Sequence, residues 1–304
     1  MSQFGKRLKS AIEKDAKAWM FLSGYLILFV IFIVAPVAAG VGLSLTSFNT
    51  IQAPTFVGIT NYVNLFTRDQ TFIRHVIPNT IQFAIMAGIG GYVLSFLMAW
   101  VLAQITPLPR TILAIILYSP SLTSGIVMTV IWRALFSGDE FGYLNNLLLG
   151  LGLIDAPIQF IQSPQYLMTI MIIVTIWGSM GIGFLAMLAG ILNVDTTLYE
   201  AGAIDGVRTR TQEIIHITIP SMRPQMLFGA VMAVVNTFNV SGVGVLLTGE
   251  NPTPEYAGQL IVTHIEDFGF LRFEMGYAAA ISVTLLLFVY YISRVAFRFF
   301  AEKD

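Results

Sequence analysis

The sequence predicts an all-α protein that crosses a membrane several times. Hydrophobic residues make up 56% of the chain and charged residues only 11%, whereas a soluble domain carries about 25% charged residues. Four long stretches contain no Asp, Glu, Lys or Arg: Ala18–Thr67, His75–Pro109, Ala156–Val194 and Pro224–Gly249. Because a span needs roughly 20 mainly apolar residues, we predict a polytopic transmembrane helical bundle.

Six apolar runs are long enough to be spans. They are Trp19–Leu45, Ile77–Ile105, Thr111–Phe136, Gln165–Leu192, Gln225–Thr248 and Met275–Arg294. We treat residues 19–304 as one six-span domain, which includes a connecting segment over residues 193–224, and residues 1–18 as a tail. Within this tail Phe4, Leu8 and Ile12 recur at helical spacing among lysines, which favours an interfacial helix over Gln3–Ala18. A solvated tail is the alternative.

The basic residues predict the orientation of these spans. Five lie in the N-terminal tail, one follows the second span, three follow the fourth and three lie in the C-terminal tail, which is twelve of the sixteen in the chain. Lys and Arg are enriched on the cytoplasmic side of a membrane protein. We therefore expect a multi-pass protein of the bacterial cell membrane with both termini in the cytoplasm, in contact with membrane lipid.

Several kinds of chemistry are missing from the sequence. The chain has no cysteine and a net charge of −1, so we expect no disulfide and no nucleic-acid partner. It contains neither a G-x-x-x-x-G-K-[ST] phosphate loop nor an H-E-x-x-H zinc helix, and its three histidines are far apart. We predict no catalytic residue and no metal site. The middles of the spans also lack ionisable residues, which disfavours a proton-coupled carrier.

The connecting segment after the fourth span is the most informative part of the sequence. Asp195 is a good N-cap for a short helix through Ile204, and Gly206 can take the left-handed conformation that ends it. Thr209 and Gln212 then form a capping-box pattern. Pro220 is expected to end this second helix. Such a rigid helix–turn–helix suits docking into a groove of another protein, and an ordinary solvated loop is the alternative.

This segment resembles the E-A-A-x-x-x-G … I-x-L-P signature of importer permeases of the ATP-binding-cassette type. The matching residues are Glu200, Ala201, Asp205, Gly206, Ile217 and Pro220. Gly202 replaces the second alanine, Ile219 replaces the leucine, and ten residues instead of nine separate Gly206 from Ile217. The stretches Phe56–Tyr62 and Trp132–Phe136 are similar to regions of maltose-permease-type proteins.

The resemblance implies a carbohydrate importer with a definite set of partners. These are a second homologous permease, two ATPase subunits that bind ATP and Mg, and an extracellular or periplasmic solute-binding protein. The segment would be the ATPase-coupling element, through Glu200, Ala201, Gly202, Asp205, Gly206, Ile217 and Pro220, and this chain would hold no cofactor. The alternatives are import of another solute such as glycerol phosphate, an ATP-independent secondary carrier, or a structural membrane scaffold.

Candidate substrate contacts follow from the chemistry of sugars, which present hydroxyl groups and apolar ring faces. Asn236 and Asn239 are three residues apart and share a face of the fifth span, with Phe238 and Ser241 beside them. Further candidates are Trp177, Asn79 and Gln82. Interhelical hydrogen bonding is the alternative role for the asparagines. Pro120 in the third span fits either a hinge or a static kink.

Overall fold

The computed structural model describes residues 16–123 and 125–300, and most of these are helical. Nearly all of the predicted interfacial helix lies outside the described residues. The α-helices are α1 Ala16–Phe29, α2 Ala35–Ser44, α3 Thr60–Thr67, α4 Ile77–Phe83, α5 Gly90–Ala103, α6 Pro107–Leu122, α7 Gly125–Leu135, α8 Tyr143–Gly150, α9 Pro164–Trp177, α10 Ile182–Leu192, α11 Thr196–Ile204, α12 Arg210–Glu213, α13 Ile219–Ser221, α14 Arg223–Phe238, α15 Val243–Thr248, α16 Ile261–Glu266 and α17 Met275–Phe300. These helices are connected or extended by five π-helical turns and one 3₁₀ turn. The π-helical turns are Val30–Val34, Phe72–Val76, Ala84–Ile89, Ile214–Thr218 and Asp267–Leu271, and the 3₁₀ turn is Pro254–Tyr256.

The described part of the chain divides into two compact units, of which the first comprises residues 16–63 and Phe268–Val283. It contains the only departure from an all-α fold among the described residues, a ribbon in which β1 Thr46–Ser47 pairs antiparallel with β2 Thr55–Phe56. The Asn61 amide holds the preceding turn by donating to the carbonyls of Ser44 and Thr46, both at 2.9 Å.

The second unit comprises, among the described residues, Asn64–Asp267 and residues 284–300. Its core has two clusters of large side chains. The first cluster contains Phe83, Phe136, Leu167, Met171 and Leu247, and the second contains Phe96, Phe184, Met187, Met222 and Met226.

Small residues bring helices together around the second cluster. A Cβ on Gly183 of α10 would lie 3.3 Å from Cα of Gly229 on α14, which is the close approach expected of such residues in membrane helices.

The structure bears on the predicted spans as follows. Within the described part of the chain, three helices are long and apolar enough to cross a membrane: Met20–Ser44, Phe72–Ala103 and Met275–Arg298. The pair α9 and α10 qualifies as a fourth crossing, although it is bent by 48°. The three long helices coincide with the first, second and sixth predicted spans, and the bent pair coincides with the fourth.

The third and fifth predicted spans are each divided into two helices. Pro120 lies inside α6, which ends two residues later, and Thr123 is extended with φ −80° and ψ 135°. Between α14 and α15, Gly242 has a left-handed φ of +66°. The break in the third predicted span lies three residues after Pro120, the residue for which the sequence indicated a hinge or a kink. In the fifth predicted span the break includes Gly242, and glycine adopts a left-handed φ at little cost.

Among the described residues, three prolines follow a π-helical turn by two residues and lie within a helix that continues through the turn. They are Pro36, Pro78 and Pro220. A proline normally clashes with the carbonyl four residues earlier, but a carbonyl in a π turn pairs with the N–H five residues ahead. The helix therefore accepts the ring. The helix that contains Pro220 ends at Ser221, one residue after the end that the sequence predicts for it.

Candidate functional site

The connecting segment begins with a helix, α11, that is fixed at both ends. The Asp195 carboxylate accepts a hydrogen bond from the Thr197 backbone N–H at 2.9 Å, and this bond holds the pKa of Asp195 below its ordinary value. At the other end, the Val207 N–H donates to the Gly202 carbonyl at 2.9 Å and Gly206 has a φ of +95°. This is a Schellman motif, so the predicted cap and the predicted end of α11 are both confirmed.

The second helix, α12, begins with the predicted capping box. The Thr209 hydroxyl accepts from the Gln212 N–H at 3.3 Å, and the Gln212 side chain accepts from the N–H groups of Arg208 and Thr209 at 2.9 and 3.2 Å. Arg210 and Glu213 form an exposed ion pair at 2.7 Å. An exposed pair of this kind adds little stability, so the reciprocal caps set the start of the helix.

A π-helical turn over Ile214–Thr218 follows α12 and accounts for the extra residue in the signature. A π turn contains one residue more than the α turn it replaces. Because of this extra residue, the Ile217 side chain faces α11 and is only 9% exposed. A methyl group on Gly202 would lie 2.6 Å from the Ile217 Cδ1 atom. The Tyr199 and Thr218 hydroxyls are also 3.0 Å apart. The added residue is absorbed locally, and glycine at 202 makes room for Ile217.

The remaining signature residues face outward from this packed pair of helices. Glu200, Ala201, Asp205, Gly206 and Pro220 are all exposed. Sequence reasoning missed Ile204, which is 88% exposed. The signal was present, because residues i and i+4 share a helix face and Ile204 follows Glu200 by four. One face of α11 thus presents a carboxylate beside a large apolar side chain.

A second candidate site is a cavity of about 630 Å³ in the second unit. Its lining comes mainly from α5, α6, α7, α9, α10, α14 and α15. Hydroxyl and amide side chains contribute from most of these helices: Ser95, Ser121, Thr123, Thr129, Thr175, Ser179, Asn236, Thr237 and Ser241. Tyr92, Tyr118 and Trp132 add aromatic rings, and none of the described lining residues is charged. The divisions of the third, fourth and fifth predicted spans all border this cavity.

The structure separates the candidate substrate contacts into two groups. Asn236 and Ser241 line the cavity. The others lie elsewhere. Asn239 follows the last residue of α14, Phe238 is buried against Phe288 with ring centroids 5.5 Å apart, and Trp177 is 52% exposed.

The two polar candidates on α4 also differ from each other. Asn79 donates to the Tyr256 carbonyl at 2.7 Å and to the Gln259 carbonyl at 3.3 Å, so it holds a loop in place. Gln82 is exposed and is not part of the lining.

Trp132 was not a predicted contact, yet it lines the cavity. Its ring stacks on Phe136 at 5.7 Å, and the Trp177 ring meets it edge-on at 6.2 Å. Its indole Nε1 is buried and has no hydrogen-bond partner among the described residues. Trp177 therefore does not line the cavity itself, but its ring packs against Trp132, which does. The missed signal was the pair of aromatic residues at positions 132 and 136, which share a helix face.

No cluster of three potential metal ligands occurs within residues 16–123 and 125–300. Of the three histidines, the buried His264 contacts the Asp69 carboxylate at 2.9 Å and stacks on Phe72 at 5.8 Å. His216 and His75 have different surroundings. The His216 ring contacts the Gln212 carbonyl, and the His75 ring lies beside Tyr256.

Comparison with known proteins gives a consistent result. A sequence model of the family described as "Binding-protein-dependent transport system inner membrane component" matches residues 91–299. The arabinooligosaccharides transport system permease protein AraP of Bacillus subtilis is 29% identical over 94% of this chain and 89% of its own length. The lactose transport system permease protein LacF of Rhizobium radiobacter is 26% identical over 95% of both chains.

A solved structure is similar over nearly the whole chain. It belongs to a bacterial ABC transporter involved in the import of the acidic polysaccharide alginate, with a TM-score of 0.79 and 25% identity over 97% of this chain and 98% of that one. A second structure contains a bacterial alginate ABC transporter with a periplasmic protein that holds an alginate pentasaccharide, with a TM-score of 0.78.

Proposed function

Because the chain belongs to the family of binding-protein-dependent transport system inner membrane components, we propose that it is the membrane-spanning subunit of an ATP-driven saccharide importer. It is a transporter component, and hydrolysis of ATP is the work of partner subunits. The names of AraP and LacF support a saccharide as the solute. The partners are a second permease, two ATPases that bind ATP and Mg, and an external solute-binding protein.

The observation that carries this proposal is the outward face of α11. Glu200 and the 88% exposed Ile204 project together from a helix capped at both ends. We assign this face to a groove on the ATPase, where a basic side chain meets the carboxylate and an apolar pocket takes the isoleucine. Large side chains that fill pockets at the centre of an interface contribute most of its binding energy. A rigid helix in this position transmits closure of the ATPase dimer to the spans.

The proposal includes six membrane crossings with both termini in the cytoplasm. Three long helices and the bent pair α9 and α10 supply four crossings. We assign the remaining two to α6 with α7 and to α14 with α15. Non-helical backbone at membrane depth is tolerated where it lines a cavity, and residues at both breaks, Thr123 and Ser241, line this one. The cavity is then the translocation path for the saccharide.

The coupling assignment is tested by retention of the ATPase. We expect Glu200→Ala and Ile204→Ala each to weaken ATPase binding, for Ile204→Ala by about 2 kcal/mol, or roughly thirtyfold in affinity. Gly206→Val should do the same, because a β-branched residue opposes the positive φ there. The measurement is co-purification of the ATPase with the permease complex, together with ATP hydrolysis stimulated by the solute-loaded binding protein.

Two exposed residues provide matched controls, because we place both on the external side. Glu140→Ala and Leu153→Ala should leave ATPase retention unchanged. Wild-type retention and wild-type stimulated hydrolysis in all three test variants would contradict the coupling assignment. Loss of membrane insertion in a variant would instead indicate misfolding, and quantification of the inserted chain separates the two cases.

A further inference from the structure

The short helix α8, in the loop between α7 and α9, carries large apolar side chains on two opposite sides. On one side Leu144 and Leu148 are partly buried and pack against the first core cluster. On the other side Tyr143, Leu147 and Leu151 are each more than half exposed. These three residues are four apart and therefore share one helix face. They form an apolar stripe that the described part of the chain leaves uncovered.

A buried asparagine fixes the position of α8 relative to its neighbours. The Asn145 amide donates to the carbonyls of Ser137 and Ile158 at 2.9 and 3.0 Å, and its oxygen accepts from the Ile158 N–H at 3.0 Å. Ser137 lies two residues after the end of α7, and Ile158 lies six residues before the start of α9. These bonds therefore hold α8 beside the ends of α7 and α9, so it does not project away from them.

The core cluster that α8 packs against is built largely from helices that can cross a membrane. Phe83 and Ala87 lie in the long apolar helix Phe72–Ala103, and Leu167 and Met171 lie in α9 of the bent pair. Because α8 packs against this core at the ends of its helices, it lies at the level of the lipid headgroups. The stripe on its opposite face then points away from the bundle, toward the surrounding bilayer.

The charge of this loop limits the way in which it can contact lipid. No Lys or Arg occurs between Arg133 and Arg208. The exposed charged residues that flank α8 are all acidic, namely Asp139, Glu140 and Asp155. Attraction to anionic headgroups needs basic side chains, so burial of apolar surface is the available driving force. Tyr143 adds an aromatic ring with a polar hydroxyl, a combination that is enriched at membrane surfaces.

We propose that α8 is an interfacial helix, and that its stripe of Tyr143, Leu147 and Leu151 binds the external leaflet of the membrane without a preference for anionic lipid. Exposed apolar patches mark sites of membrane or protein contact, and this one continues the apolar surface of the crossing helices. Through Asn145 the lipid contact fixes the outer ends of α7 and α9, two helices that line the cavity. The inference uses the crossings and the orientation proposed above and is independent of the solute.

The test measures the depth of a spin label in the membrane. Leu147→Cys in the cysteine-free chain is labelled with a methanethiosulfonate nitroxide, in the whole complex with partner subunits whose cysteines have been replaced, in phosphatidylcholine vesicles. Collision rates of the label with oxygen, which concentrates in the bilayer, and with a water-soluble nickel chelate give its depth. Asp155→Cys is the matched control in the same loop, because a charged side chain stays out of the bilayer.

We expect the label at position 147 to lie about 5–10 Å inside the boundary between headgroups and acyl chains, as in other interfacial helices, and the label at position 155 to lie in water. Replacing part of the phosphatidylcholine by phosphatidylglycerol should not increase the depth at position 147. Equal access of the nickel chelate to both labels would overturn the inference. A label at 147 that neither reagent reaches would overturn it in favour of a protein partner, namely the solute-binding protein if this protection requires its addition, and the second permease otherwise.

A third label separates this inference from the proposed crossings. Val130 is exposed on α7, so a label on Val130→Cys should lie in the hydrocarbon if α7 is part of a crossing. A label in the bilayer at position 130 together with a label in water at position 147 would overturn the role of α8 alone. Labels in water at both positions would overturn the crossing as well.

Discussion

Gly202 of α11 and Gly206, two residues past the end of that helix, differ in what an added side chain would meet. At Gly202 an added methyl would lie 2.6 Å from Ile217 Cδ1, so the obstacle is space. At Gly206 no atom lies within 4 Å of an added Cβ, and the obstacle is the φ of +95°. The Gly206 conformation follows from local sequence and could be predicted. The Gly202 contact depends on the fold of a residue fifteen positions later and could not.

Asn236 and Asn239 show that sequence spacing alone predicts the candidate cavity only in part. Their spacing of three residues places them on one helix face only while the helix continues, and α14 ends at Phe238. Asn236 remains a predicted substrate contact because it lines the cavity. Asn239 also stays a prediction, although it lies outside the lining.

We expect Asn236→Ala to lower saccharide uptake roughly fivefold to tenfold, the value of one lost hydrogen bond, and Asn239→Ala to lower it less. The measurement is uptake of a radiolabelled neutral oligosaccharide into proteoliposomes that contain the whole complex and its binding protein. Quantified complex in each sample serves as the control for assembly. Equal uptake by the wild type and Asn236→Ala would assign this residue to another role.

At the scale of elements, the caps were predictable, whereas among the breaks only the one near Pro120 was indicated by the sequence. Asp195, Gly206 and Thr209 act on backbone within a few residues, so their patterns identified both short helices correctly. The glycines near the break in α14–α15 and near the bend between α9 and α10 resemble the small residues that let helices pack closely. Whether such a glycine packs or breaks a helix depends on neighbouring helices. π-helical turns likewise have no clear local signature, and only the one over Ile214–Thr218 coincides with an extra residue in the family signature.

The π turn over Ile214–Thr218 gives a prediction about length. Deleting Ile215, which is 54% exposed, should convert the turn to α-helix and keep Ile217 against Gly202, so the ATPase should still co-purify. Inserting one alanine after Ile215 should rotate the following residues by about 100° and abolish retention. A deletion as damaging as the insertion would contradict this account of the extra residue.

At the scale of the whole molecule, the orientation in the membrane is the main prediction. It follows from the split of basic residues, and no contact within the chain tests it. Arg208 is exposed in the connecting segment and Glu255 in the loop after α15, so both are suitable reporters. Arg7 and Lys303, also expected in the cytoplasm, lie outside the described residues.

We expect Arg208→Cys to resist a membrane-impermeant maleimide in intact cells and to react after permeabilisation, whereas Glu255→Cys should react in both conditions. The cysteine-free wild type supplies the background. If position 208 reacts from outside, the topology is inverted or the number of crossings is not six.

The hydrogen bonds of the cavity hydroxyls have an evolutionary consequence. Thr129, Ser179 and Thr237 each bond a carbonyl of their own helical stretch, three or four residues away. Replacing one by alanine or valine therefore strands no partner on a neighbouring helix. For hydrogen bonding, each of these positions can therefore change independently of the others. Paralogues with different sugar preferences could arise from a common ancestor in this way, while the scaffold and the ATPase contact stay unchanged.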